Sequence, residues 1–459
     1  MTYYFETYGC QMNFAESAAV EQLFIARGWK KAKSAQVADC AVINTCSVRA
    51  TAENRIFGRL GWFTGLKALR ACEPGAKSKS LGDAADYVKD GPKPITVIVM
   101  GCMAERLLES LKKDYPVVDY VVGTFAKSQF SKIISEIEEK DCPSELDDKA
   151  AYKFASLSYE PGAFTAFVPI MHGCNNFCTY CIVPYVRGRE VSRPVDEILK
   201  EIDVLSSYGV KEITLLGQNV NSYNSDGLKF PGLMKKIADH LAETSSPIGW
   251  VRFMSSHPKD LSDELIDVIA ENPVLCRHIH LAVQHGSSKI LKAMNRTYTR
   301  EHYLDMVKRI KARIPDVSLT TDLMVGFPGE TEEDFEEVLS LMKEVRYETS
   351  FMYYYNPREG TPAAKMENQI PVKVKKERLQ KMIDLQLEIT REEMSARTNR
   401  TVKVLCEIVS RDNKTELLGK TEQDERVAFA AEKSLIGKFV QVHIDELSGN
   451  TFRGTLVES

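Results

Sequence analysis

A chain of 459 residues holds enough material for two to four cores, because single cores seldom exceed about 250–300 residues. Its 44% hydrophobic and 27% charged content is that of an ordinary globular protein, and no apolar run approaches the roughly 20 residues of a membrane span. The net charge of −4 leaves no overall basic footprint for nucleic acid, and eleven cysteines in so large a chain point to metal binding or catalysis rather than disulfide staples. No basic-then-apolar leader opens the sequence, so the expected location is cytoplasmic.

Residues 1–140 alternate between strand and helix periods, with strands expected at 2–8, 40–45, 95–101 and 117–123 and helices at 14–27, 50–60, 104–113 and 127–140. Asn13, three residues before Glu16, reads as a helix start. Residues 65–93, with their Pro-Gly turns, read as a surface insertion, and 141–165 as a linker. Alternation resumes over 166–396, with strands expected at 167–171, 212–217, 250–255, 278–283, 318–325 and 349–355. Six repeats fit a partial (β/α)6 TIM-type barrel, whose working face is the carboxyl end of its strands, followed by a charged helix opened by Pro371. Residues 397–459 carry five short strands (401–410, 416–420, 426–430, 438–444 and 451–457) and read as a small OB-like β-barrel. The fold class is α/β: a parallel-sheet domain, the partial barrel and the small β-barrel.

The sharpest chemical signal is Cys174, Cys178 and Cys181, just after the first strand of the central region. Gaps of three and two residues let three thiolates wrap one corner of a cuboidal iron–sulfur cluster. Three ligands for four irons leave one iron open to chelate a small molecule. The bland alternative is a zinc knuckle, with His172 as a fourth ligand.

The amino-terminal region repeats one local arrangement three times: Cys10, Cys46 and Cys102 each follow the end of an expected strand. Parallel strands present their carboxyl ends on one sheet edge, so the three thiols are expected to converge and hold a second, three-coordinate cluster. The alternative is three buried small hydrophobes. Cys40, Cys276 and Cys406 fall inside strand patterns and read as core, whereas Cys72 and Cys142 read as free thiols.

The CxxxCxxC spacing resembles the radical S-adenosylmethionine (SAM) superfamily. Together with the three-cysteine domain and the terminal β-barrel, which resembles the RNA-contacting TRAM domain, the whole chain apart from 65–93 resembles the methylthiotransferase family. The local words Tyr8-Gly-Cys-Gln-Met-Asn13, Asn44-Thr-Cys-Ser-Val-Arg49, Gly101-Cys-Met-Ala-Glu-Arg106 and Arg187-Gly-Arg-Glu190 are similar to the branch that modifies N(6)-dimethylallyladenosine in tRNA. That resemblance implies two 4Fe–4S clusters, one on Cys10, Cys46 and Cys102 and one on Cys174, Cys178 and Cys181, and two SAM molecules per turnover, as methyl donor and as radical source. It implies methylthiolation of adenine carbon 2 at position 37, beside the anticodon. SAM is expected near Gly217, Gln218, Asn219, Gln284, Gly326 and Phe327. Gln218-Asn219 departs from the family's Gly-Gly-Glu form, and Ala282 and His285 stand where Pro and Ser are usual. The anticodon loop is expected on Arg187, Arg189, Arg193, Tyr355, Lys375 and Lys376, although 398–459 balances nine Lys/Arg against ten Asp/Glu. A reductant such as flavodoxin or ferredoxin, an unidentified sulfur donor and a monomeric chain complete the expectation. Rival readings are a sister enzyme acting on threonylcarbamoyladenosine or a ribosomal-protein aspartate, and a non-enzymatic iron–sulfur or RNA-binding protein.

Overall fold

The computed structural model describes residues 1–47, 50–72, 84–89, 91–147 and 151–457; Val48 and Arg49 of the second cysteine word, and part of the expected 65–93 insertion, lie outside the described residues. The chain divides into two compact units, 1–175 with 182–193, and 176–181 with 194–459.

The first unit begins β1 (Thr2–Thr7), α1 (Gln11–Ala26), β2 (Lys30–Lys31), β3 (Cys40–Thr45), α2 (Ala50–Arg70), α3 (Ala84–Tyr87) and β4 (Thr96–Gly101). It continues with α4 (Cys102–Arg106), α5 (Leu108–Asp114), β5 (Tyr120–Val122) and α6 (Phe130–Glu139). The strands form one parallel sheet in the order β2-β1-β3-β4-β5. β3 and β4 read as unbroken apolar runs because both faces are covered, as parallel sheets require. Ala41, Ile43, Val97 and Val99 meet Ile56, Leu60, Phe63 and Leu66 of α2, while Val42, Ile98 and Met100 meet Phe24 of α1 and Phe130, Ile133 and Ile134 of α6. Cys40 lies in the second of these cores, as expected of it.

Two boundaries differ from the sequence reading. α1 starts at Gln11 with Cys10 as its N-cap, so Asn13 sits inside the first turn rather than before it. α2 runs on to Arg70, into the expected insertion, because the Arg70 guanidinium fastens the helix end: it donates to the carbonyls of Ala38, Lys93 (2.5 Å) and Pro94 (3.2 Å). Among the described residues of 141–164 there is no helix or strand, and Gln22 of α1 donates to the Tyr159 carbonyl at 2.6 Å. β6 (Thr165–Pro169), β7 (Met171–His172), α7 (Val183–Arg187) and β8 (Val191–Ser192) follow, with β7 and β8 paired antiparallel.

The second unit alternates α8 (Val195–Ser207), β9 (Glu212–Leu216), a small hairpin of β10 (Asn224–Ser225) and β11 (Leu228–Lys229), α9 (Phe230–Glu243), β12 (Trp250–Phe253), α10 (Asp263–Glu271) and β13 (His278–His280). Then come α11 (Ser288–Ala293), α12 (Arg300–Arg313), β14 (Ser318–Val325), α13 (Glu332–Val345), β15 (Thr349–Tyr354) and α14 (Val372–Ser395). β9 pairs with β12, and β13 with β14 and β14 with β15, all parallel; single parallel bridges link Val251 to Leu275 and Ser256 to Leu281. Each α-helix after a strand returns the chain to the strands' amino ends, so every strand-to-helix turn falls on one face.

β16 (Thr401–Val409), β17 (Glu416–Lys420), β18 (Arg426–Ala430), β19 (Phe439–Ser448) and β20 (Thr451–Leu456) close into a barrel in the order β16-β17-β18-β20-β19. Val404, Cys406, Leu417, Val427, Phe429, Val442, Ile444 and Phe452 fill it, with Met394 of α14 as its plug. This barrel docks on the amino ends of β9 and β12. Arg252 pairs with Glu212 at 3.0 Å and donates to the carbonyls of Thr421 (2.6 Å) and Glu422 (2.7 Å); Lys420 reaches Glu212 at 2.7 Å. Trp250 meets Phe439 edge-on at 4.8 Å. Removing one member of a buried charge pair costs several kcal/mol because its partners stay desolvated. Arg252→Ala is therefore expected to destabilise the chain by about 3 kcal/mol in denaturant unfolding, and to make the 396–400 junction a new site of limited proteolysis.

Candidate metal centres

In the sheet order of the first unit, the chain turns to opposite sides after β1 and after β3, and the crevice so formed at their carboxyl ends is where such folds place ligands. Cys10 follows β1, Cys46 follows β3 and Cys102 follows β4, three neighbouring strands. Two asparagines lace this edge. The Asn13 side chain accepts from the Cys10 N–H (3.1 Å) and donates to Asn44 Oδ1 (2.9 Å) and the Thr45 carbonyl (3.1 Å), while Asn44 donates to the Asn13 carbonyl (2.8 Å) and to Ser17 Oγ (3.0 Å). Glycine is required beside two of the thiols: a Cβ on Gly9 would lie 2.1 Å from Asn13 Oδ1, and one on Gly101, at φ 99°, would lie 2.4 Å from the Thr45 carbonyl.

The thiols are electrostatically unequal. A hydrogen bond from Cys46, helped by the Arg187 charge against the partial enclosure of the sulfur, lowers the Cys10 thiol to about 6, although the residue as a whole is exposed. Burial raises the Cys102 thiol, with the Arg187 charge opposing it. Arg187, the last residue of α7, donates its Nε–H to Cys102 Sγ at 3.1 Å and its Nη1 to Glu16 at 2.8 Å. Burial works against ionisation of Glu16, yet Arg187 and Lys127 hold its carboxyl down at about 2.

His172 has a different role from the zinc ligand considered above. Its ring stacks on Tyr152 at 3.5 Å, its Nδ1 lies 3.4 Å from Arg187, and burial drives it well below its ordinary pKa. The thiols themselves are not drawn in around a point: among the described residues no group of three or more His, Cys, Asp or Glu is placed to hold a single metal ion.

Of the second cysteine trio, Cys174 lies in the first unit and Cys178 and Cys181 in the second. Cys174 is buried and its N–H donates to the Gly188 carbonyl at 3.1 Å. The 176–181 segment is anchored on the residues just after α11, a contact that no local pattern marked. Asn295 donates to the carbonyls of Asn176 and Phe177 (both 3.1 Å), Thr179 N–H to that of Met294 (3.1 Å), and Arg296 to the Tyr180 hydroxyl (2.8 Å). Burial, with the nearby Cys178 and Cys181 adding to it against Arg296, raises the Tyr180 hydroxyl well above its usual range.

Several buried polar atoms of this unit find no hydrogen-bond partner: both side-chain atoms of Asn221, Ser256 Oγ, Arg296 Nε and Nη1, and Tyr355 Oη. Buried polar groups normally have partners, so orphans of this kind are open to a polar ligand, although His278 Nδ1 and Ser318 Oγ, at the amino ends of β13 and β14, are orphaned too. Asn221, Ser256 and Tyr355 follow the carboxyl ends of β9, β12 and β15, the working face of this fold. Of the expected SAM neighbourhood, Gly217 and Gln218 are half-buried, and Gln284, at φ 71°, faces Asp322 at 3.4 Å. Asn219 is already engaged, donating to Asp260 at 2.7 Å and accepting from the His257 N–H at 3.3 Å. Gly326 and Phe327 both donate backbone N–H groups to Glu330 (2.7 and 3.2 Å), which also accepts from Arg378 (2.6 Å) and His285 Nε2 (3.2 Å). His285 Nδ1 accepts from the Ser287 N–H at 3.0 Å, which fixes the tautomer and accounts for the histidine at this position.

The expected RNA contacts separate sharply. Arg187, Arg193, Tyr355 and Lys375 are buried, so the expectation that they face RNA is corrected: Arg193 reaches the Pro169 carbonyl, Lys375 the Tyr355 carbonyl, and Tyr355 packs on Phe327. Arg189 and Lys376 are exposed.

Comparison with known proteins agrees with this geometry. Residues 168–342 match the Radical SAM superfamily, 2–123 an uncharacterized protein family, UPF0004, and 396–457 the TRAM domain. The chain is 50% identical to a tRNA-2-methylthio-N(6)-dimethylallyladenosine synthase of Treponema pallidum, with 100% of this chain and 99% of the relative covered. The chain belongs to this synthase family. Within the family, it is also 50% identical to the synthase of Treponema denticola (99% and 100% covered) and 42% identical to that of Clostridium botulinum (98% and 95%). Among solved structures, the radical S-adenosylmethionine methyltransferase TsrM of Kitasatospora setae has the same fold at 13% identity, with a TM-score of 0.58 over 79% of this chain and 77% of that one. No helix among the described residues is long and apolar enough to cross a membrane.

For this family member, Glu330→Gln leaves the buried Arg378 without its charge partner and slackens the Gly326 turn. The expected loss is about 3 kcal/mol in denaturant unfolding, together with weaker SAM binding to the reconstituted protein by calorimetric titration.

Proposed function

We propose that this chain is a cytoplasmic, monomeric radical SAM methylthiotransferase that adds a methylthio group to carbon 2 of N(6)-dimethylallyladenosine at position 37 of tRNA. The observation that supports the reading is the placement of Cys10, Cys46 and Cys102 after the carboxyl ends of three neighbouring parallel strands, in a chain that also bears the CxxxCxxC motif. The Treponema and Clostridium relatives, named for this reaction, match the chain over nearly its whole length.

Cys10, Cys46 and Cys102 hold an auxiliary 4Fe–4S cluster, and Cys174, Cys178 and Cys181 hold the SAM-binding one. The fit rests on the donor sets: three thiols each, with glycine beside Cys10 and Cys102 where a side chain would intrude, and a cation facing the first trio. When bound, the two clusters and SAM supply the sulfur, its methyl group and the radical that removes hydrogen from adenine carbon 2. The chain's own residues bind and orient. Gly217, Gln218, Gln284, Gly326 and Phe327 border the SAM site, and the orphaned Asn221, Ser256 and Arg296 offer it polar contacts that the sequence did not reveal. Arg296 also fixes Tyr180, and with it the loop of Cys178 and Cys181. The TRAM barrel, Arg189 and Lys376 are left to meet the anticodon loop, with a flavodoxin- or ferredoxin-like protein as reductant. Positioning the reacting groups is the protein's share of a cofactor reaction.

Two measurements test this. Anaerobically reconstituted protein should carry about eight irons, falling to about four when either cysteine trio is replaced by alanine. In a host lacking its own synthase, the chain should restore 2-methylthio-N(6)-dimethylallyladenosine to digested tRNA, and each triple variant should leave only the unthiolated nucleoside. Persistence of the unthiolated nucleoside with the wild-type chain would refute the substrate.

A further inference from the structure

Arg187 is a charged side chain only 3% exposed, and it sits six residues after the last cysteine of the CxxxCxxC motif. All three of its guanidinium nitrogens are engaged. Nη1 and Nη2 reach the two oxygens of Glu16 (2.8 and 3.4 Å), Nη1 also faces His172 Nδ1, and Nε points at Cys102 Sγ (3.1 Å). Glu16 is shared with Lys127, so two cations stand over one carboxylate and a positive charge is left over at the thiol edge. Burying an unbalanced cation is costly unless an anion completes the site. Among the described residues, the partner of Nε is the Cys102 sulfur.

We propose that Arg187 is a positioning residue for the auxiliary cluster: its Nε–H holds the Cys102 sulfur in the ligand orientation, and its charge stabilises the cluster's reduced state. The proposal rests on the assignment of Cys10, Cys46 and Cys102 as that cluster's ligands. Hydrogen bonds to ligand sulfurs and nearby charge are among the means by which a protein sets an iron–sulfur potential. Lysine cannot substitute, since only a planar fork reaches a carboxylate and a sulfur at once. Glu16 and Lys127 act through Arg187, fixing its plane. The same contact would hold a reduced, metal-free Cys102 in place, ready for assembly.

The test uses full-length protein in which Cys174, Cys178 and Cys181 are all alanine, so that only the auxiliary site reports. Iron per chain, loss of iron to a chelator, and the midpoint potential from an EPR-monitored titration are measured for this parent and for its Arg187→Gln and Arg187→Lys forms. The parent should hold about four irons. Arg187→Gln should shift the potential to a more negative value and release iron several-fold faster. Arg187→Lys, which keeps the charge but loses the Nε–H, should shift less in the same direction and release iron faster than the parent. If Arg187→Gln does not fold, as judged by circular dichroism, the lysine variant decides alone. Unchanged potentials and chelation rates in a folded variant overturn the proposal. A parent without iron overturns the ligand assignment, and the proposal falls with it.

Discussion

Sulfur ligands for a metal cluster must be close together and ready to carry negative charge, yet enclosed from water; those demands conflict unless a buried cation answers the charge. In the first unit, the buried cation beside the Cys102 sulfur is Arg187, and its own burial is made tolerable by Glu16. The rest of the edge follows from that arrangement. Glu16 comes from α1, whose first turn is fixed by Asn13 on Asn44, and Asn44 is the residue with which β3 reaches Cys46. One lattice of hydrogen bonds therefore fixes the helix that presents Cys10, the strand that leads to Cys46 and the guanidinium that meets Cys102.

How much of this was legible in the sequence depended on the range of the interaction. Period-two and period-3.6 patterns are local, so from residue 212 onward the strands expected from them lie within four residues of those observed. The placement of Cys10, Cys46 and Cys102 after the ends of neighbouring strands was legible as well, because parallel strands put their carboxyl ends on one side whatever the loop lengths. Arg187 was misread as a phosphate contact for the opposite reason: its carboxylate partner is 171 residues away, and nothing local marks an arginine as buried. Tyr355 and Lys375 failed alike, since the lysine Nζ lies 4.9 Å from the centre of the tyrosine ring and bonds that residue's carbonyl at 2.9 Å. Helix α2 overran its expected end because Arg70 finds carbonyls contributed by two other segments, at Ala38 and at Lys93 and Pro94.

The departures from the family's usual words are resolved by their neighbours. His285 replaces a serine in the usual pattern, and it is wholly enclosed, receiving the Ser287 N–H on one nitrogen and giving the proton on the other to Glu330. Glu330 accepts at the same time from Gly326, Phe327 and Arg378. A buried carboxylate with this many donors is a rigid post, and the glycine-rich turn is built around it. The histidine is thus part of the support of a strand-end turn, one layer behind the surface that a ligand would touch. Substitution at such a layer changes how the turn is held while leaving the groups it presents in place.

The same reasoning bears on the small β-barrel. Its charge is balanced, so long-range attraction to RNA is weak, and any grip must come from a few exposed cations and from shape. It is fastened to the amino ends of β9 and β12 through Arg252, Glu212, Lys420 and Trp250, whereas the turns after Gly217, Gln284 and Val325 open at the opposite ends of their strands. An RNA held by this barrel and reacting at those turns must therefore extend over the flank of the second unit for at least the length of a strand. A folded stem and loop has that reach, while a single nucleoside does not. The small barrel and those turns thus lie toward opposite ends of the second unit's parallel strands, and the buried Arg252–Glu212 pair helps to hold the barrel at its end.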